Sequence, residues 1–208
     1  MSAWEEIERG SQNNSTEVEY TKIKPGEVIK IRILDREPFS RWTHWLPKQM
    51  RTITCGGQSC PICAVVKAQK ENKEDLTYST SRRHILHIWN YTTNRLEFFE
   101  QGNAVFKQLA SFNKMLGDIT SCDIKVMRTG EKKDTAYTFV PEATSPIAES
   151  IIKEYEEKKV NFEERFIPPD ANDLKKLMAG ATFDEVYGNN QNTSSNDNTT
   201  DEEVNFVV

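Results

Sequence analysis

Three observations predict a mainly β chain: a small β-barrel with minor helices, an inserted loop, a helical appendage and an acidic tail. Short runs that alternate apolar and polar residues recur between turn signals. One longer stretch, after Gly102, carries apolar residues at a period near 3.6. A glycine- and cysteine-rich segment interrupts the strands early in the chain.

In order, the polar residues 1–19 form an acidic N-terminal segment, in which Trp4 and Ile7 would share one face of a short helix. Lys24-Pro25-Gly26-Glu27 is a turn. It opens Val28–Leu34, a half-buried strand with Lys30 and Arg32 on its outer face. Phe39–Leu46 reads as a second strand that leads into the cysteine loop. Ala64–Lys70 favours a helix ending near Asn72. Arg82–Tyr91, the turn Thr92-Thr93-Asn94 and Arg95–Glu100 form a hairpin. Val105, Phe106, Leu109, Phe112 and Met115-Leu116 make a helix stripe that Gly117 stops. Ser121–Arg128 and Thr135–Val140 are strands around a polar turn. Beyond Ala143 the character changes, with helices over Ile147–Lys158 and Asp173–Met178. Asn189–Thr200 is almost all Asn, Ser and Thr, a composition that cannot build a core. The units are therefore 1–19, a core over 20–142 with a metal subdomain at about 42–75, an appendage over 143–188 and a disordered tail over 189–208.

His44, Cys55, Cys60 and Cys63 are the candidate metal ligands. Cys60-Pro61-Ile62-Cys63 is a C-x2-C pair, so two thiolates of one tight turn can reach the same ion. Cys55 lies upstream across Gly56-Gly57, and glycine adopts the backbone angles a tight loop needs. With His44 as the fourth ligand the set is Cys3His, a closed structural Zn2+ site with no position for chemistry. His84 and His87 are rivals for that fourth place. The competing reading, buried thiols or a disulfide, leaves one of three clustered cysteines unpaired. No secretory signal is evident, which disfavours disulfides. Cys122 reads as a buried thiol on a strand.

The formal charge of -5 hides an asymmetry. Residues 20–140 carry 20 Lys/Arg against 12 Asp/Glu, whereas residues 184–208 carry six acidic residues and no basic one. A basic body with an acidic tail points to a polyanionic partner and a tail that competes for it or recruits another. No apolar run approaches a membrane span, and the sequence reads as soluble and intracellular. There is no P-loop, dinucleotide turn or nucleophile elbow, and the zinc-deaminase signature is only half matched. A binding protein is expected rather than an enzyme.

Basic and aromatic residues are interleaved around the metal loop (Arg36, Arg41, Trp42, Trp45, Lys48, Arg51) and on the hairpin (Arg82, Arg83, Trp89, Tyr91, Arg95). Single-stranded nucleic acid is held by a positive groove and by rings on which bases stack. The competing reading puts most such rings in the core. Alternation puts Arg83, Ile85, His87, Trp89 and Tyr91 on one face of the hairpin strand, and Leu86, Ile88 and Asn90 on the other. The first face is the candidate for nucleic acid. Trp42 and Trp45 point to opposite faces, so at most one is expected to stack on a base while the other packs.

The order His44, Cys55, Cys60, Cys63 in a β-rich, aromatic, basic body followed by an acidic tail resembles the phage single-stranded-DNA-binding proteins of the gene-32 type. The resemblance covers roughly residues 20–140. It implies an OB-fold core with a structural zinc subdomain and sequence-independent binding of single-stranded DNA in replication, recombination and repair. It also implies the cytoplasm of an infected bacterial cell, and an acidic tail (Asp201, Glu202, Glu203, Phe206) that recruits replication or recombination proteins. The acidic segment 1–19 departs from the basic arm of the best-known members. The alternatives are a zinc-stabilised adaptor that binds protein through its tail and a metal-dependent enzyme acting on nucleic acid. Oligomeric state is not readable from the sequence.

Overall fold

The computed structural model describes residues 18–188. The chain is mainly β, as expected. Its strands are β1 (Glu19–Tyr20), β2 (Val28–Ile33), β3 (Phe39–Leu46), β4 (Arg51–Thr54), β5 (Ser79–Asn90), β6 (Arg95–Gly102), β7 (Cys122–Thr129) and β8 (Ala136–Thr144). The helices are α1 (Pro61–Asn72), α2 (Asn103–Leu116), α3 (Glu149–Lys158), α4 (Phe162–Arg165), α5 (Ala171–Ala179) and α6 (Phe183–Tyr187). Among the described residues no helix is long and apolar enough to cross a membrane.

The strands form one mixed sheet in the order β1-β6-β5-β2-β7-β8, antiparallel except for the β1–β6 pair. The long β5 serves two partners. Its C-terminal half pairs with β2 (Ile33↔Ile88) and its N-terminal half with β3 (Phe39↔Ile85 to Trp45↔Ser79). Pro38, which has no N–H to donate, lies in the break between β2 and β3. β3 therefore continues past the core and carries β4 and the cysteine loop at its far end.

The expected barrel is not closed by a backbone ladder: β6 and β8 do not pair. The sheet nevertheless curls until they touch. Phe99 of β6 meets Phe139 of β8 edge to face at 6.2 Å, and Gln101 Nε2 donates to Tyr137 Oη at 3.3 Å. A curled, partly open core results. Its interior holds Ile29, Ile31, Leu86, Ile88, Phe99, Ile124 and Val126, with Phe106 and Leu109 of α2 packed into it. The 3.6 periodicity of α2 thus marks its buried stripe as far as Phe112, whereas Met115 and Leu116, expected to continue it, are exposed where the helix runs past the core. Gly117 ends the helix at φ +79°, in the region where glycine meets no Cβ penalty.

Arg32, expected on an outer face, is instead 1% exposed. Its Nε lies 3.0 Å from Asp123 Oδ1 of β7, and its guanidinium donates to the carbonyls of Thr120 and Ser145. A buried guanidinium is stable only when paired and hydrogen-bonded in this way.

The segment after Thr144 packs in two places. Around the cysteine loop, Leu174 and Leu177 of α5 join Leu46, Ile53, Ile62, Val66 and Tyr78 in a second cluster. On the outer side of β5 and β6, Tyr155, Val160, Phe162 and Phe166 join Ile85, Leu96 and Phe98 in a third.

Candidate metal centre and nucleic-acid interface

The four expected ligands meet. One ligand atom from each of His44, Cys55, Cys60 and Cys63 lies within 4.8 Å of the others, so the set could hold one metal ion. Three elements place them. His44 is fully buried on β3, paired with Ile53 and Thr80. Cys55 follows β4 directly, and the Gly57 N–H points at its Sγ (3.4 Å). Gly57 itself has φ +69°, and a short helical turn over Gly57–Ser59 delivers Cys60 to the N-cap of α1. Pro61 is the first residue of α1, where its missing N–H costs nothing, and Cys63 follows within the first turn.

Cys55 Sγ and Cys63 Sγ are 3.4 Å apart, and His44 Nε2 lies 3.5 Å from Cys60 Sγ and 3.3 Å from Cys63 Sγ. Thr80 Oγ1 sits 3.2 Å from His44 Nδ1, which turns Nε2 toward the sulfurs. Burial holds His44 below its ordinary pKa, partly opposed by the Ser79 backbone. Burial also works against ionisation of Cys60, but backbone hydrogen bonds from Cys63, Gly56 and Ile62 outweigh it and pull the thiol down. Cys63 is pushed up by burial and by the neighbouring Cys55 and Cys60. Three thiolates cannot share this space without a cation, and a divalent ion held by these residues would supply one. The rival histidines are engaged elsewhere. His84 lies between Ser40 Oγ (2.7 Å) and Asn103 Oδ1 (2.6 Å), and His87 contacts Asp35.

The basic and aromatic candidates separate. Trp42 and Trp45 both reach solvent, at 52% and 36% exposure, on opposite sides of β3, so the expected packing of one of them is not seen. Trp42 faces Arg82 across the β3–β5 ladder, with the guanidinium 5.9 Å from the ring. Arg36, Lys48 and Arg82 are exposed. Arg41 and Arg83 share Glu100 (3.1 and 3.3 Å), and Arg41 also lies over Phe166. Arg51 lies over Phe183, and Arg95 pairs with Glu19 and Glu97.

The hairpin face that alternation offered to nucleic acid is largely covered. Trp89 is only 6% exposed, and a base cannot reach its ring in this arrangement. His87 is buried under Phe162, stacked at 4.4 Å. Its Nε2 accepts from Val160 N–H at 3.0 Å, so the ring proton sits on Nδ1, toward Asp35. Tyr91 is half-buried, with its hydroxyl on Asp123 and its ring beneath Lys30. The tail residues Asp201, Glu202, Glu203 and Phe206, and Trp4 and Ile7, lie outside the described residues.

One residue and one contact escaped sequence reasoning. Thr80 orients His44 from 36 residues away, and only the β3–β5 register reveals it. Cys55 donates its backbone N–H to the Trp42 carbonyl at 2.8 Å, which ties the metal loop to the exposed ring.

Comparison with protein-family models, with curated proteins and with solved structures returns no match.

Proposed function

We propose that this chain binds single-stranded DNA without sequence preference, using the surface around Trp42, Arg82 and Trp45, and that a structural Zn2+ at His44, Cys55, Cys60 and Cys63 holds that surface in shape. One observation carries the reading. A tryptophan ring is left half in water beside an arginine, on a strand that also bears a metal ligand, and its carbonyl is bonded to a second ligand residue. An exposed indole on rigid backbone is a platform for an unpaired base, which offers it a π-face. The adjacent guanidinium is placed for a phosphate. Duplex DNA hides its base faces and has no use for such a ring.

Zinc fits the donor set. A tetrahedral site with Zn–S near 2.3 Å and Zn–N near 2.0 Å separates its ligand atoms by about 3.5 Å. The sulfur–nitrogen distances here are 3.3 and 3.5 Å. Four protein ligands leave no open position, so the ion would supply folding energy rather than chemistry. In this reading the protein coats and protects single strands in phage-type replication, recombination and repair. The acidic residues Asp201, Glu202 and Glu203, with Phe206, recruit partner proteins.

The test is fluorescence anisotropy of a labelled oligo-dT with the full chain and with Trp42→Ala and Arg82→Ala. Loss of one stacked base costs roughly 1–3 kcal/mol, or about 5- to 150-fold in Kd. Unaltered affinity in both variants would remove this surface from consideration.

A further inference from the structure

A groove of about 310 Å³ opens beside α2. Its floor is apolar, formed by Ile33 of β2, Leu86 of β5, and Phe106 and Leu109 of α2. Its mouth is polar, with Ser40, His84, Asn103 and Asn113. Ligand pockets combine an apolar body with a few placed polar groups in this way, and this volume is at the small end of their range.

Position suggests the occupant. Ser40 and His84 are a cross-strand pair, and the next pair on the same face is Trp42 and Arg82. Two residues along a strand span about 7 Å, so the groove opens on the same face as the exposed ring, one step away. The wall between them is rigid: both His84 ring nitrogens are engaged, and the ring stacks on Phe106 at 4.9 Å. Two exposed cations, Arg36 and Lys107, stand at the rim. Of the two rim carboxylates, Asp35 is turned to His87 and Tyr155, and Glu37 is exposed beside Arg36.

We infer that the groove takes one unstacked base of a DNA strand whose neighbouring base lies on Trp42, with Arg36 and Lys107 on the flanking phosphates. The inference rests on the single-strand reading above. The apolar floor receives the ring, and the amides of Asn103 and Asn113 face its polar edge. A flat, polar-edged ring joined to an anionic backbone satisfies all of these features together.

Ala110 lines the groove from the exposed side of α2, so Ala110→Phe fills the space over the floor residues Phe106 and Leu109 while replacing no buried side chain. Two measurements are made with the full chain. The first is the Kd of Ala110→Phe for labelled oligo-dT, expected to rise roughly 5- to 100-fold with thermal melting unaltered. The second is photo-cross-linking of the unaltered chain to an oligo-dT carrying 4-thiothymidine, with peptide mapping, expected to give adducts both in β3 and at His84 or Phe106. The cross-linking decides the matter even if Ala110→Phe does not fold. Wild-type affinity in Ala110→Phe with adducts in β3 alone overturns the groove while leaving the single-strand reading standing. If the unaltered chain does not bind oligo-dT, both fall.

Discussion

At Trp42 a large ring stands about half in water, yet its backbone is fixed on both sides, by Arg82 across the ladder and by the Cys55 N–H on its carbonyl. In the proposed reading, little backbone ordering would accompany the stacking of a base on this ring. Removing it should leave stability within about 0.5 kcal/mol while weakening DNA binding, because a surface side chain without buried contacts contributes little to folding. Anisotropy and thermal melting of Trp42→Ala test the two halves separately. Cys60 should behave in the opposite manner. It is buried, belongs to the second core cluster and stands among the ligands. Cys60→Ser should abolish stoichiometric zinc, read by metal analysis, and cost about 4 kcal/mol or more of stability. Through Cys55 it should also weaken DNA binding. Full metal content in Cys60→Ser would remove that residue from the ligand set.

At the scale of elements, α3 and α4 are held on the outer face of β5 by a polar clasp. Tyr155 Oη donates to Asp35 at 2.8 Å, and Asp35 also receives His87. Burial and the Asp35 hydrogen bond raise the Tyr155 pKa, which keeps the hydroxyl a donor. Tyr155→Phe should cost roughly 1–1.5 kcal/mol in denaturant unfolding. A second set of charges ties β8 to its neighbours: Glu142 meets Lys125 and Lys30, each at 3.0 Å. These partners, Lys125 first, hold the Glu142 carboxyl below its ordinary value of 4.5. A carboxyl lowered in the folded state stabilises fully above its unfolded pKa, and that contribution is lost as pH falls through the folded one. Melting temperature should therefore drop below about pH 4.5, and Glu142→Gln should drop less steeply. Identical profiles would show that the group contributes nothing. The same elements show what the sequence could reveal. β2, β3, the β5–β6 hairpin and α2 are set by local alternation or period, and the C-x2-C spacing marks the metal turn. β4 has four residues inside the cysteine loop, and α4 and α6 are also very short, so none offers a periodic signal. Alternation divided β5 into two faces but could not say which is covered. The covering residue Val160 lies 73 positions from His87, and Asp123, which buries Arg32, sits 91 residues along the chain.

For the whole molecule, a basic body joined to an acidic tail should make DNA binding strongly salt-dependent. Each neutralised phosphate releases condensed counterions, and for single strands the slope of log K against log salt is about -0.7 per contact. The curled core and the outer cluster on β5 and β6 share β5, and that outer cluster and the one around the cysteine loop share β3. In the proposed reading, loss of an ion from the His44, Cys55, Cys60 and Cys63 cluster should therefore disturb the exposed rings through β3. The most direct measurement is a titration of intrinsic tryptophan fluorescence with oligo-dT at low and high salt, with duplex of equal length as the control. Quenching by the single strand, weakened by salt and diminished in Trp42→Ala, is the expected result. Equal quenching by duplex, or no change with either polymer, would contradict single-strand binding through this surface.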